Sequence, residues 1–356
     1  MTDELILTVG HRQISGWDAV RVTRGVERLP SDFSLSLMDY YPGDSQQQLV
    51  VPGESCTVQL GDDLVITGYI DRWSPSVSKS RHQIEASGRG KCQDLVDCSA
   101  EWPNNVISQA DALQISQKLA APYGISVTSD VDDLQQVPQF TLNWGESSQE
   151  VIDRISRWAA LLYYDLPDGS LRLTRVGTGQ AASGIAQGEN IENAYFTSSM
   201  DERFSDYTGV SMSMTPVAEM SPDEGYSAVT LAKSQDSEAA KMRYRNRIII
   251  VESTMNTYKQ AQNCIDWEMN RRYGRSKSLN VTIDSWRDSA GKLWEPNTLI
   301  PIRLPLFGLN DVLWLLSEVT FIRDERGTQA RMSLMPPEAF AVQPYQFYSQ
   351  VMELNR

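Results

Sequence analysis

The chain has 356 residues, enough for two or three domains that each bury a core of their own. Its 41% apolar and 22% charged residues are typical of globular rather than disordered proteins. With 46 acidic and 32 basic residues the formal net charge is −14, which disfavours nucleic acid and anionic lipid as partners over most of the surface. Neither a membrane-spanning apolar run nor a signal-peptide pattern occurs, so we expect synthesis in a cytoplasm without membrane insertion.

Residues 1–95 have the pattern of short strands separated by turns. In the run DFSLSLM, for example, Phe33, Leu35 and Leu37 alternate with serines, so that apolar side chains share one face. Many short strands at near-regular spacing are typical of an all-β barrel or sandwich. We predict a small β-barrel here.

The hydrophobic period then changes from 2 to 3.6 over residues 96–176. The stretch SQADALQISQKLAAPYG predicts a helix that stops at Pro122, with Gly124 beyond it. A second helix follows, with Ser147 as its cap and Glu150 three residues later in a capping box. After it, YYDLPDGSLRLTR predicts a hairpin that turns at Pro-Asp-Gly. These elements predict a small α+β domain.

Beyond this domain the glycine-rich stretch VGTGQAASGIAQGEN is the best linker candidate, and strand alternation resumes after it. A helical pattern that ends at Gly274 interrupts the strands. The fold class is therefore mainly β with α+β character: two small β-barrel domains, an α+β domain between them, and a helix interrupting the second barrel. The predicted bounds are 1–95 (first β-barrel), 96–176 (α+β), 177–253 and 275–337 (second, split β-barrel), 254–274 (helical insertion) and 338–356 (tail). The order of the acidic loop 216–225 and of the tail is left open.

Motifs of catalytic chemistry are largely missing. The two histidines, His11 and His82, have no spaced ligand-type neighbours, and the four cysteines fit neither a zinc site nor a CxxC pair, so we expect no cofactor or metal. Nucleophile-elbow and phosphate-loop motifs do not occur. The basic stretch RYRNRIII favours a solvated strand start over a nucleic-acid site.

Acidic residues beside tryptophans leave two other functions open. A glycoside hydrolase needs two carboxyl groups across a sugar bond, and a carbohydrate-binding β module is the other alternative. Adjacent residues on a strand point to opposite faces, so sequence neighbours seldom share a site, and we do not expect an enzyme. The acid and tryptophan pairs are Asp71 with Trp73, Glu101 with Trp102, Asp284 with Trp286 and Glu295 with Trp294.

The stretch SLNVTIDSWRDSAGKLWEPNTLIPIRLP, residues 278–305, predicts a β-corner. Its alternation breaks at Trp286, as at a bulge, and Gly291 relieves the turn before Trp294. Pro301 and Pro305 cannot donate to a sheet ladder, so they favour an edge strand. Such an edge faces solvent or is covered by another subunit, and the corner therefore indicates assembly rather than catalysis.

Three stretches in this order carry a family resemblance: GVERLPSDFSLSLMD, GESSQEVIDRISRWAALLYYDLPDGSLRLTR and the corner at residues 278–305. Together they resemble the baseplate hub proteins of contractile phage tails and look closest to the hub of Mu-like phages. More distantly, they are similar to the hub part of type VI secretion spike proteins. The resemblance covers about residue 3 to residue 337.

The resemblance implies a homotrimeric ring with two similar barrels per chain, which joins the spike to the tail tube around a channel for DNA passage. It implies other copies of the chain, a separate spike protein, the tail tube and other baseplate proteins as partners, with DNA only as transient cargo. The expected location is the virion, after assembly in the host cytoplasm. No catalytic residues carry over, and we expect no wall-digesting activity in this chain, since the stretch after Pro337 is too short for such a domain. From their positions, the residues expected at the subunit interface are Phe33, Leu35, Leu37, Trp286, Trp294, Pro296, Asn297, Leu299, Ile300, Ile302 and Leu304.

Overall fold

The fold was analysed in a computed structural model of the chain. The structure describes residues 4–38, 50–79, 82–134, 136–137, 140–159, 161–212, 228–250 and 258–340. The acidic loop 216–225, residues 254–257 of the predicted helical insertion and residues 341–356 of the tail lie outside this part of the chain. As the sequence predicts, the chain is mainly β with α+β character.

The N-terminal unit is built from antiparallel strands. Val9, Leu7 and Leu5 are buried in alternation along the first strand, and Phe33 and Leu35 are buried on another, as the alternation in the sequence predicts. The strands are β1 (Leu5–Val9), β2 (Arg12–Ile14), β3 (Ala19–Gly25), β4 (Asp32–Met38), β5 (Ser55–Leu60), β6 (Asp63–Val77) and β7 (His82–Gly90).

The α+β unit follows directly. Ser147 and Glu150 form the predicted capping box: the Glu150 N–H donates to Ser147 Oγ at 3.2 Å, and the Ser147 N–H donates to Glu150 Oε2 at 2.7 Å. The predicted hairpin turns at Gly169, whose φ is +81°. The elements are α1 (Gln93–Asp97), β8 (Val106–Ile107), α2 (Ala112–Ala120), β9 (Val127–Ser129), β10 (Phe140–Thr141), α3 (Ser148–Ala159), β11 (Leu162–Asp165) and β12 (Leu171–Thr174).

The remaining elements divide between two sheets. They are β13 (Ile185–Ala186), β14 (Ile191–Ser198), β15 (Asp206–Met212), β16 (Ala228–Gln235), α4 (Ser237–Met242), β17 (Asn246–Ile250), α5 (Tyr258–Arg275), β18 (Lys277–Ile283), β19 (Leu299–Leu304), β20 (Leu309–Asp324) and β21 (Gly327–Met335). Short 3-10 turns lie at Pro103–Asn105, Ala121–Tyr123, Pro305–Phe307 and Pro337–Ala339.

Strands of both predicted barrels belong to one 13-stranded sheet with the order β14-β18-β21-β20-β3-β4-β7-β6-β5-β1-β2, to which β19 and β13 are attached at β20. Strand β20 is the link, because Leu315 to Leu309 pair with β19 and Glu318 to Arg323 pair with β3. Within the described residues no pairing closes the sheet into a barrel, and the two closed barrels stay a prediction. Alternation identifies the buried face of a strand but does not identify its neighbour.

Strands β15, β16 and β17 differ from the prediction that placed residues 177–253 in the second barrel. They form a separate three-stranded sheet with the order β16-β15-β17, in which β15 and β17 run parallel. Helix α5 packs on this sheet through Ile265, which shares a small core with Tyr207 and Ala232. The helix is therefore the cover of a sheet of its own rather than an insertion in a barrel.

Helix α5 ends at Arg275, within one residue of its predicted stop at Gly274. A Cβ at this position would lie 2.1 Å from the backbone nitrogen of Ala339, so the glycine permits close packing of the C-terminal turn on the helix. Phe340, after that turn, is buried together with Val26 and Tyr164. The first residues of the predicted tail thus join the core that the N-terminal unit, the α+β unit and the last strands share.

Candidate assembly surfaces

The predicted corner is an anchor of the core. Trp286 is fully buried, and its Nε1–H is shared between the carbonyl oxygens of Ile322 at 3.0 Å and Gln329 at 2.9 Å. Its ring meets Phe321 edge to face, with 6.2 Å between centroids. Trp294, 3% exposed, donates to the Ser285 carbonyl oxygen at 3.1 Å. These indoles therefore hold β18 against the β20–β21 hairpin and offer no surface to another subunit.

Strand β19, predicted as an edge, is covered by the stretch predicted as a linker. The Leu299 N–H donates to the Gly179 carbonyl oxygen at 2.8 Å, and the Ala181 N–H donates to the Leu299 carbonyl oxygen at 3.0 Å. A Cβ on Gly184 would lie 2.2 Å from the carbonyl oxygen of Pro301. Gly184 leaves room for this close approach, because the backbone passes directly along β19. The glycine-rich stretch that the sequence analysis predicted to be a linker thus packs closely against the backbone of β19.

The residues predicted for a subunit interface fall into two groups. Most have side chains buried within their own chain, because they belong to its core: Phe33, Leu35, Trp286, Trp294, Pro296, Ile300, Ile302 and Leu304. The partly exposed members are Leu37, Asn297 and Leu299. The Asn297 side chain binds the backbone of its own chain: its Oδ1 accepts from the Gly177 N–H at 2.7 Å, and its Nδ2 donates to the Arg175 carbonyl oxygen at 3.1 Å.

The two ends of the main strand path of the large sheet lie elsewhere, at β14 and β2, and the two-residue strand β13 is an outer strand of its branch. Among the described residues β14 pairs only with β18, and β2 pairs only with β1. Tyr195 on β14 is 67% exposed, whereas its neighbour Phe196 stacks on Phe307 with 5.9 Å between centroids. Unpaired edges with exposed apolar side chains are ready to pair with another chain. Sequence reasoning did not single out β14, although the adjacent Tyr-Phe pair was a visible signal.

A second exposed aromatic, Trp144, lies on a rigid turn between β10 and α3 and is 92% exposed. The Glu146 side chain, 7% exposed, accepts from the Asn143 N–H at 2.9 Å and approaches Arg154 Nε at 3.4 Å. The Ala100 N–H donates to the Glu146 carbonyl oxygen at 2.7 Å. These contacts hold the backbone of the turn and leave the indole at the surface, and tryptophan is enriched among the hot spots of protein interfaces.

The groups considered for chemistry are dispersed or paired. Asp71 forms an ion pair with Arg89 at 2.6 Å, and Glu295 pairs with Lys292 at 2.9 Å. Burial raises the pKa of the Cys56 thiol to about 12, so it is not a nucleophile at neutral pH. Over the described ranges, His, Cys, Asp and Glu side chains form no group of three or more that could hold a metal ion.

None of the helices in the described part of the chain combines the length and the apolar character needed to cross a membrane.

Family models match three parts of the chain. The N-terminal domain of Mu phage baseplate assembly protein GpP-like proteins matches residues 4–90, and the second domain of baseplate hub protein gp44-like proteins matches residues 92–175. The fourth domain of the Mu phage baseplate assembly protein GpP matches residues 257–343. The matched models thus describe phage baseplate proteins at both ends of the chain.

Individual proteins agree with these models. The chain is 32% identical over 351 residues to baseplate hub protein gp44 of Escherichia phage Mu, covering 96% of this chain and 90% of that protein. The crystal structure of the 43 kDa tail protein of prophage MuSo2 from Shewanella oneidensis superposes with a TM-score of 0.82 at 30% identity, covering 96% of this chain and 100% of that one. A type VI secretion component, the E. coli c3393 protein, shares the fold with a TM-score of 0.57 at 10% identity, covering 93% of this chain and 76% of that one.

Proposed function

The chain belongs to the baseplate hub proteins of Mu-like phage tails, and from this premise we propose that three copies form the ring that joins the central spike to the tail tube. The relatives are structural baseplate proteins and not enzymes, so a structural role in the phage tail replaces the hydrolase and carbohydrate-binding alternatives. The observation that carries the proposal is the 32% identity to the Mu hub protein over 96% of the chain.

The two ends of the large sheet support a closed ring. Because β14 and β2 are different surfaces, contacts between them are heterologous, and heterologous contacts generate a ring when the rotation closes. In the proposed ring, each subunit contributes two barrels, and the open edges of its sheet are completed by its neighbours. Leu37, Asn297 and Leu299 remain candidates for subunit contacts because their side chains are partly exposed.

The proposed ring surrounds the channel through which DNA passes. With a formal net charge of −14 per chain, phosphates are repelled from most of the surface, so DNA is transient cargo rather than a bound ligand. The proposed partners are the spike protein, the tail tube and other baseplate proteins, and Trp144 is a candidate contact for one of them. Assembly of the hub in the host cytoplasm before incorporation into the virion is part of the same proposal.

The oligomeric state tests this function. Sedimentation equilibrium of the purified chain should give the mass of three 40.0 kDa chains, and electron microscopy should show particles with a central hole. A chain that remains a monomer at high concentration in the presence of the cognate spike protein would contradict the proposed ring.

A further inference from the structure

An unusual surface lies where α4 leads into β17. Met242, Tyr244 and Ile248 are 69%, 77% and 59% exposed, and the cations Arg243 and Arg247 between them are exposed as well. This stretch is therefore both apolar and basic at the surface of a chain whose formal net charge is −14. We call residues 243–248 the basic edge.

The two kinds of side chain lie on opposite faces of an extended backbone. Arg243 has φ −167° and ψ 154°, and β17 continues the extension, so alternate residues point to opposite sides. Tyr244 and Ile248 share one side, and the arginines share the other. Arg245 and Arg247 lie over the ring of Phe204, with 4.8 and 5.6 Å from guanidinium carbon to ring centroid.

Not every arginine of the basic edge is available for a partner. Arg245 donates to the carbonyl oxygens of Met200 and, at 2.9 Å, of Asp201, which fixes the loop before β15. Arg243 and Arg247 keep their charged groups at the surface. The stacked Arg247 is thereby oriented without losing its exposure.

Within the described part of the chain, the backbone of β17 has no strand partner on one side. Strand β17 is the outer strand of its sheet and, among the described residues, pairs only with β15. An outer strand can accept a further strand through its free N–H and C=O groups, and the side chains on the two faces then select which strand binds.

We propose that the basic edge binds an extended segment of another tail protein in which apolar and acidic residues alternate. Apolar side chains of the segment would pack on Tyr244 and Ile248, and its carboxylates would lie beside Arg243 and Arg247. A nucleic acid would neutralise the arginines but would leave the apolar face and the backbone edge without partners. The identity of the partner as a tail protein rests on the proposed hub function, whereas the chemistry of the segment does not.

A synthetic decapeptide that alternates valine with glutamate tests the binding chemistry. Fluorescence anisotropy with the full chain should show that this peptide binds at least tenfold more tightly than a decapeptide that alternates valine with lysine. Because the contact includes charge pairs at the surface, added salt should weaken it. Equal affinity for the two peptides, or tighter binding of single-stranded oligothymidine than of the acidic peptide, would overturn the proposal.

Charge reversal locates the site. The double substitution Arg243→Glu and Arg247→Glu should lower the affinity for the acidic peptide about tenfold or more. A matched control, Arg72→Glu with Lys79→Glu, changes the same number of exposed charges on β6 and just after it, and should leave the affinity unchanged. Equal losses in both double variants, or none in the first, would refute the assignment. The sedimentation mass of each variant reports separately on the ring, so failure of the ring and failure of the basic edge give different results.

Discussion

Two buried carboxylates respond to their surroundings in opposite directions. Burial raises the pKa of Asp165, against the opposing effects of the Ser31 hydrogen bonds at 2.8 and 2.9 Å and of the buried Arg24. Burial also tends to raise the pKa of Asp236, but the two hydrogen bonds from Arg203 and the N–H groups at the start of α4 hold it below its ordinary value. The difference is the bidentate arginine that only Asp236 has.

We predict that Asp165→Asn changes the pH dependence of stability. Because the pKa of Asp165 is raised by folding, its contribution is fully present below the ordinary pKa of 3.8 and is lost as the pH rises through the raised value. At pH 4 the wild type should be more stable by about 1–3 kcal/mol, since asparagine leaves a Ser31 donor without its acceptor. Urea unfolding from pH 4 to pH 8 measures this, and a difference that does not shrink with rising pH would contradict it.

For the second carboxylate we predict that Arg203→Met lowers the free energy of unfolding by about 3–5 kcal/mol, because Asp236 would be left buried without its counter-charge. Both side chains are at most 7% exposed. The lowered pKa of Asp236 means that this contribution is present above pH 3.8 and is lost as the pH falls through the lowered value.

The control for this substitution is Arg175→Met, which removes an exposed ion pair with Asp133 and should cost only about 0–1 kcal/mol. Denaturant unfolding at pH 7 compares the two variants. A similar loss of unfolding free energy in both variants would mean that burial of the Arg203–Asp236 pair does not determine how much it stabilises the fold.

Local sequence signals predicted an element correctly where the residues that it contacts are near in the chain. Helix α3 begins at the predicted capping box, and the hairpin β11–β12 turns at the predicted Gly169. The stretch at residues 177–187 shows the opposite case. Its glycines predict a flexible linker, because the strand that the stretch contacts, β19, is more than a hundred residues away in the sequence.

The contact between this stretch and β19 gives a prediction with an internal control. Gly184→Ala should lower the free energy of unfolding by about 1–3 kcal/mol, because the new methyl group would lie 2.2 Å from the Pro301 carbonyl oxygen. Gly179→Ala, whose new methyl group would have nothing within 4 Å, should stay within about 0.5 kcal/mol of the wild type. Thermal or urea unfolding measures both, and equal effects would show that the stretch does not pack on β19 as described.

At the scale of the whole molecule, the N-terminal unit and the last strands act as one body. Pairing of β3 with β20 is reinforced by Arg287, whose Nη1 donates to Asp63 Oδ2 at 2.6 Å and whose Nη2 donates to the Leu60 carbonyl oxygen at 3.0 Å. A continuous sheet gives the proposed ring rigid subunits whose contact surfaces are at their two ends.

We predict that Tyr195→Glu weakens the proposed ring, because it places a charge on the outer strand β14 where a neighbouring copy would pack. Sedimentation should show a larger monomer fraction than in the wild type. The control is Tyr244→Glu, which changes a similarly exposed tyrosine just before β17 and should leave the mass unchanged while weakening binding of the acidic peptide. If both variants keep the full mass at low concentration, β14 is not a subunit contact.

Sequence alone determined the strand and helix faces, the capping box, the hairpin turn and the family, because these depend on local period and on motifs in order. Only the tertiary structure decided that β3 pairs with β20, that residues 177–187 cover β19, and that Gly274 lies inside α5 against Ala339. It also placed the side chains of Trp286 and Ile302 in the core of their own chain. The physical reason is that alternation shows which side of a segment is apolar, whereas the segment that covers this side is chosen by packing between distant parts of the chain.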